Sequence, residues 1–159
     1  MIHILPRIIL GRIFFLVRFM AKVFEYKKRI EFRDTDMAGI VHFANFFGFM
    51  EEAEHELLRS IGMGVHSELD GQTVSWPRVS AKCDYRQAIK FEEELTLEVS
   101  VSRIGTKSVT YEHKMKCDER LIAEGTIVTA CCRMVPGEPP KAIPIPQVFI
   151  DGLQVFVNG

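Results

Sequence analysis

Residues 29–46 read RIEFRDTDMAGIVHFANF, and three patterns meet in them. The first closes a strand that starts at Glu25: Ile30 and Phe32 alternate with Glu31 and Arg33, the period of two that puts apolar side chains on one face. Residues 34–44 follow neither period and read as a loop holding Asp34, Thr35, Asp36 and Gly39 around a short apolar patch. Asn45 then stands as an N-cap before Phe46, Met50, Ala53 and Leu57, which recur at intervals of 4, 3 and 4 residues on one helical face. Opposite that face Glu51, His55 and Arg59 form a solvated stripe at i, i+4, i+8. Gly62 and Gly64 end the helix.

Downstream the period returns to two and stays there. Leu95, Leu97, Val99 and Val101 alternate with polar residues, as do Val109, Tyr111, His113 and Met115, with Gly105 and Thr106 as the turn between them. Residues 116–120 make a second hairpin turn, and strands spanning Val74 to Tyr85 and Leu121 to Val135 complete the set, with Gly125 as a bulge or close-packing point. A strand, one helix and four hairpin-joined strands indicate an α+β fold, an antiparallel sheet with the helix on one face. The proline-rich stretch after Val135 can only be an extended tail or an edge, and Val148 to Val157 is apolar enough to dock on a partner subunit.

The whole chain, 159 residues with 47% hydrophobic and 26% charged, has room for one core and excludes collagen-like, low-complexity and disordered classes. Lys+Arg of 20 against Asp+Glu of 21 leaves no general attraction to nucleic acid. Charge is nonetheless uneven, with seven basic residues and one acid in residues 1–30. Residues 1–24 are apolar and basic, but Pro6, Arg7, Arg12 and Arg18 leave Ile13 to Val17 as the longest uninterrupted run, too short for a membrane span or a signal core. This extension reads either as a segment touching a membrane surface or, the favoured reading, as an over-long start with Met20 opening the domain. Cys83, Cys117, Cys131 and Cys132 form no CxxC and read as reduced thiols of a cytoplasmic protein, with no metal site.

Function concentrates in loops held by rigid scaffolds, and the loop before the helix carries two carboxylates. Gly39 lets the backbone fold back so that Asp36 approaches the helix start, where unpaired N–H groups carry positive partial charge. A carbonyl held between a carboxylate and such donors is attacked at carbon while its oxygen is stabilised.

Asp34-Thr-Asp36-Met-Ala-Gly39-Ile40-Val41 resembles the D-x-D-x-x-G-[IV]-V signature of the 4-hydroxybenzoyl-CoA thioesterase family of hotdog-fold proteins. Arg29 to Phe32 before it, Asn45 with its following aromatic, Pro77 to Ser80, Phe91 to Leu95 and Gly105 to Ser108 extend the similarity over residues 25–135. The resemblance implies a hotdog domain over 25–136, a five-stranded antiparallel sheet wrapped around one central helix, with residues 137–159 as a tail. It implies a homodimer or homotetramer that hydrolyses acyl-CoA thioesters, aromatic or short aliphatic, without cofactor. Asp36 takes the role of nucleophile or general base, and the Phe43 backbone N–H that of oxyanion donor. His42 is shifted by one from the family's usual place, Ala88 replaces a common proline, and Glu51-Glu52-Ala53-Glu54 lacks the arginine many relatives carry.

Beside these, Gly39, Val41, Asn45, Phe46 and Trp76 are expected against substrate, and Arg103, Lys107 and Ser108 against CoA. Phe43, Phe46, Phe47 and Trp76 divide between acyl pocket and core. Asp34 reads as a loop-bonding residue, His113 as a core histidine and Glu51 as a surface ion-pair member. The competing functions are a hotdog module that binds an acyl thioester or acyl-carrier protein without turnover, and hydration or dehydration of an acyl thioester, whose motif is not found.

Overall fold

The computed structural model describes residues 22–158, and the expectations for the N-terminal extension fall mostly on residues 1–21, outside them. Strand β1 (Phe24–Arg29) leads through a single 3-10 turn, Phe32–Asp34, to helix α1 (Asn45–Ser60). Then follow β2 (His66–Leu69), β3 (Gln72–Ser75), β4 (Arg78–Tyr85), β5 (Glu94–Ile104), β6 (Ser108–Cys117), β7 (Arg120–Ala130), β8 (Cys132–Met134), β9 (Lys141–Ala142) and α2 (Gln147–Leu153). The main sheet runs β1-β5-β6-β7-β4, every pairing antiparallel, and a small sheet runs β2-β3-β8-β9.

The period-two pattern sets the core directly. Leu95, Leu97, Val99 and Val101 on β5 and Val109, Tyr111, His113 and Met115 on β6 are all buried, and α1 lays Phe46, Phe49, Met50, Ala53, Leu57 and Leu58 across them. Gly125 on β7 leaves room for the Met50 side chain of α1, since a Cβ there would stand 2.2 Å from Met50 Sδ. One long helix embraced by an antiparallel sheet is the hotdog arrangement.

Three expectations are corrected. The first strand stops at Arg29: the Glu31 N–H donates to Asp34 Oδ2 at 2.9 Å, the chain turns, and Phe32 is left 77% exposed. The long strands ending at Tyr85 and starting at Leu121 are each broken in two, at Trp76-Pro77 and at Cys131. Proline has no N–H to give a ladder, and the Cys131 N–H turns to Lys107 O. These breaks let β3 and β8 leave the main sheet and pair with each other. Finally, the C-terminal apolar stretch docks on its own protomer. Phe149, Leu153 and Phe156 are buried, with Phe149 edge-on to Trp76 at 5.0 Å and Phe156 edge-on to Phe24 at 6.3 Å. Residues 137–158 are therefore packed on the domain through α2, with β9 supplying the edge.

Candidate active site

The loop between β1 and α1 is built from its two aspartates. Asp34 is buried, and besides the side-chain bond to Glu31 its carbonyl accepts the His42 N–H at 2.9 Å and Asn45 Nδ2 at 2.8 Å, so the loop is drawn together at its base. Asn45 is thereby the first residue of α1 rather than its cap; Ala44 holds the cap position with no side-chain bond. Thr35 bridges Val41, and the turn between them closes with Asp36 N–H to Ile40 O and Gly39 N–H to Asp36 O, both 2.9 Å. Gly39 takes φ +73, a left-handed conformation that costs a side chain energy and glycine little.

Asp36 lies exposed on this turn, one carboxylate oxygen accepting the Ala38 N–H at 2.8 Å. The His42 carbonyl accepts from Asn45 N–H, and His42 Nδ1 from Ala44 N–H at 3.3 Å. Among the described residues no backbone carbonyl accepts from the Phe43 N–H, which stands just ahead of the N-terminus of α1 with its positive partial charge. Beside it opens a cavity of about 280 Å³, walled by Ile40, Val41, Phe43 and Phe46 from the motif side and by Tyr85 to Ile89 from the end of β4.

Of the residues expected at substrate, Val41 and Phe46 line this cavity, whereas Gly39 and Asn45 shape the loop. Trp76 is 1% exposed and packed on Phe149, in the core and away from the cavity. Arg103, Lys107 and Ser108 sit at the far end of β5 and its hairpin, whereas the motif loop bridges to Lys90, just before β5 starts. Ten residues of strand put about 30 Å between the two ends, so these groups stand at the opposite end of β5 from the motif loop.

Helix α1 carries a second set of charges. Arg78 Nη2 lies 3.3 Å from Glu51 Oε1, 3.3 Å from Glu54 Oε1 and 3.2 Å from His55 Nε2, while Arg59 pairs with Glu56. The stripe is thus joined to β4 rather than simply solvated. Glu54 has no exposed surface, and burial pushes its carboxyl up to about 7 against the pull of Arg78. His113 lies inside the sheet against α1, its pKa drawn down to about 4 by burial, as a core imidazole.

A larger groove, about 470 Å³ on the outer sheet face, is lined chiefly by charged side chains, Lys82, Lys114, Asp84, Glu98, Glu112 and Glu124, with Val23 beside them. Among the described residues no His, Cys, Asp or Glu group could hold a metal ion, and no helix is long and apolar enough to cross a membrane. The sequence reading missed Tyr85 to Ile89 as cavity wall; the signal available was the loss of period-two alternation after Tyr85.

One helix across an antiparallel sheet, with an aspartate turn and an apolar cavity at the helix start, defines a hotdog-fold thioesterase, a thioester hydrolase. The chain belongs to the thioesterase-like superfamily, whose family model matches residues 30–153. It is 26% identical over 123 residues to the acyl-CoA thioesterase YbgC of Haemophilus influenzae, covering 76% of this chain and 90% of that one. With the 1,4-dihydroxy-2-naphthoyl-CoA hydrolase of Nostoc punctiforme it shares 26% over 108 residues, 68% of this chain and 73% of the other. Among solved structures, the BH1999 gentisyl-coenzyme A thioesterase superposes with a TM-score of 0.71 at 29% identity, over 81% of this chain and 98% of that one.

Proposed function

We propose that the protein hydrolyses acyl-CoA thioesters, with Asp36 as the reacting carboxylate and the Phe43 N–H as the donor to the carbonyl oxygen. What supports this is an exposed aspartate on the turn before α1, a Phe43 N–H free of any described carbonyl, and an apolar cavity walled by Ile40, Val41, Phe43 and Phe46 next to that turn. The thioester oxygen accepts from Phe43 N–H, which stabilises the charge that develops there. Asp36 either takes the proton from an attacking water or adds to the carbonyl carbon itself; in both routes the C–S bond breaks and CoA leaves as thiolate, and in the second water then hydrolyses the acyl–Asp36 anhydride to release the acid and restore the carboxylate. A leaving thiol with a pKa of about 8.5 departs without a strong general acid, so one carboxylate suffices.

An aromatic acyl group is the favoured substrate. The cavity is flanked by the rings of Phe46 and Tyr85, 5.3 Å apart and edge to face, and two of the similar proteins are named for naphthoyl and gentisyl thioesters. A homodimer is the favoured assembly. Strand β4 is an end strand of the main sheet and leaves Val79 62% exposed on an edge unpaired among the described residues, which a second copy would cover. Arg103, Lys107 and Ser108 then meet CoA from the second copy.

The test is thiol release from benzoyl-, 4-hydroxybenzoyl-, short-chain and long-chain acyl-CoA by wild type and Asp36→Asn. Turnover of any member with a loss of at least about a hundredfold in the variant, about 2.7 kcal/mol of barrier, supports the reading. Equal rates in both proteins remove Asp36 from the mechanism, and no release from CoA or carrier-protein thioesters points to binding without turnover.

A further inference from the structure

Tyr85 closes β4, and its hydroxyl crosses to the motif loop to donate to the Phe43 carbonyl at 3.0 Å, a contact between residues 42 apart in sequence. Its ring packs edge-on against Phe46 and forms part of the cavity wall. The Phe43–Ala44 peptide is thus held from both sides, the carbonyl by Tyr85 and the Ala44 N–H by His42 Nδ1.

The other ties on residues 42–45 come from Asp34 and His42 within the loop and from the Phe47 N–H, which donates to the Ala44 carbonyl at 3.2 Å. The side chain of Phe43 contributes little, since it is 60% exposed. An oxyanion donor works only when it is fixed before the charge arrives, because reorientation at the moment of reaction consumes the gain. A hydroxyl on a rigid strand end is suited to that task, and burial, followed by its neighbour Cys83, raises the Tyr85 phenol further above its already high pKa, so it stays a donor at neutral pH.

We propose that Tyr85 is a positioning residue of the hydrolysis: its hydroxyl fixes the Phe43–Ala44 peptide, and through it the Phe43 N–H, beside the acyl cavity that its own ring walls. This rests on the reading of Phe43 as oxyanion donor. Tyr85→Phe keeps the ring and removes the bond, so the acyl site is unchanged while the donor is freed. The expected result across the acyl-CoA panel is a fall in kcat of about tenfold, equivalent to about 1.4 kcal/mol, with KM within about twofold of wild type. Amide hydrogen exchange gives a readout independent of turnover: the Ala44 N–H should exchange at least about fivefold faster in the variant, while core amides of β5 and β6 keep their wild-type rates.

If kcat stays within twofold of wild type, or if the Ala44 exchange rate does not move, the proposal is overturned. Asp36→Asn run in parallel separates it from the reading beneath it. An active Asp36→Asn with an impaired Tyr85→Phe removes the Asp36 mechanism and leaves the clamp, whereas an inactive Asp36→Asn with an unimpaired Tyr85→Phe does the reverse. If wild type turns over no member of the panel, the hydrolytic reading falls, and Ala44 exchange alone decides whether Tyr85 holds the peptide.

Discussion

Glu54 has no exposed side-chain surface and faces Arg78 at 3.3 Å without hydrogen-bond alignment, so its carboxyl is better accommodated neutral than charged. With its pKa raised from 4.5 to about 7, the folded state holds a proton that the unfolded chain releases. The sign follows: this contribution to stability is complete below about pH 4.5 and is lost as pH rises through about 7. Urea unfolding at pH 5 and pH 8 should show wild type losing up to about 3 kcal/mol relative to Glu54→Gln over that interval, and an equal pH dependence in the two proteins would refute it. The sequence hid this group because Glu51-Glu52-Ala53-Glu54 offers three glutamates of one chemistry, and only the angular position of each on the helix sends Glu54 inward. Asp36 and Gly39 were legible for the opposite reason: a left-handed glycine three residues after an aspartate is a local turn, with its meaning contained in the motif.

At the level of elements, the Met50 side chain of helix α1 packs directly on the backbone of Gly125 in strand β7. A Cβ on Gly125 would lie 2.2 Å from Met50 Sδ and 3.1 Å from the Lys82 carbonyl, and the backbone oxygen cannot swing away as a thioether can. Gly125→Ala should therefore cost about 1–3 kcal/mol by overpacking. Adding Met50→Ala should recover part of it, a less than additive pair measurable by denaturant midpoints. The main strands and the helix were readable because their burial follows a period. What escaped reading was where a strand stops: the breaks at Pro77 and Cys131 and the whole sheet β2-β3-β8-β9 depend on partners far away in sequence. The docking of Val148 to Val157 on its own core was equally beyond reach, since an apolar face looks the same whichever protomer covers it.

For the molecule as a whole, the proposed homodimer would pair the exposed flank of β4 with a second copy and bring Arg103, Lys107 and Ser108 toward the Asp36 turn. Placing a charge there, Val79→Asp, should yield a monomer by sedimentation velocity, with an intact far-UV circular dichroism spectrum and thiol release reduced at least tenfold. An assembly unchanged in mass would show that the copies meet elsewhere.

The topology also dictates an order of events during synthesis. Strand β1 finds its partner only at β5, with Phe24 opposite Val99 and Arg29 opposite Glu94, and the Asp36 turn leans on Ile89 and Lys90. Residues 24–29 thus leave the ribosome well before the strand they pair with, whereas β5, β6 and β7 pair with their immediate neighbours in sequence as a meander. Closing such distant contacts carries a loop-entropy cost, so the pairing of β1 and the hold of Ile89 and Lys90 on the motif loop wait for the middle of the sheet, whereas the bonds within the Asp34 to Val41 turn are local.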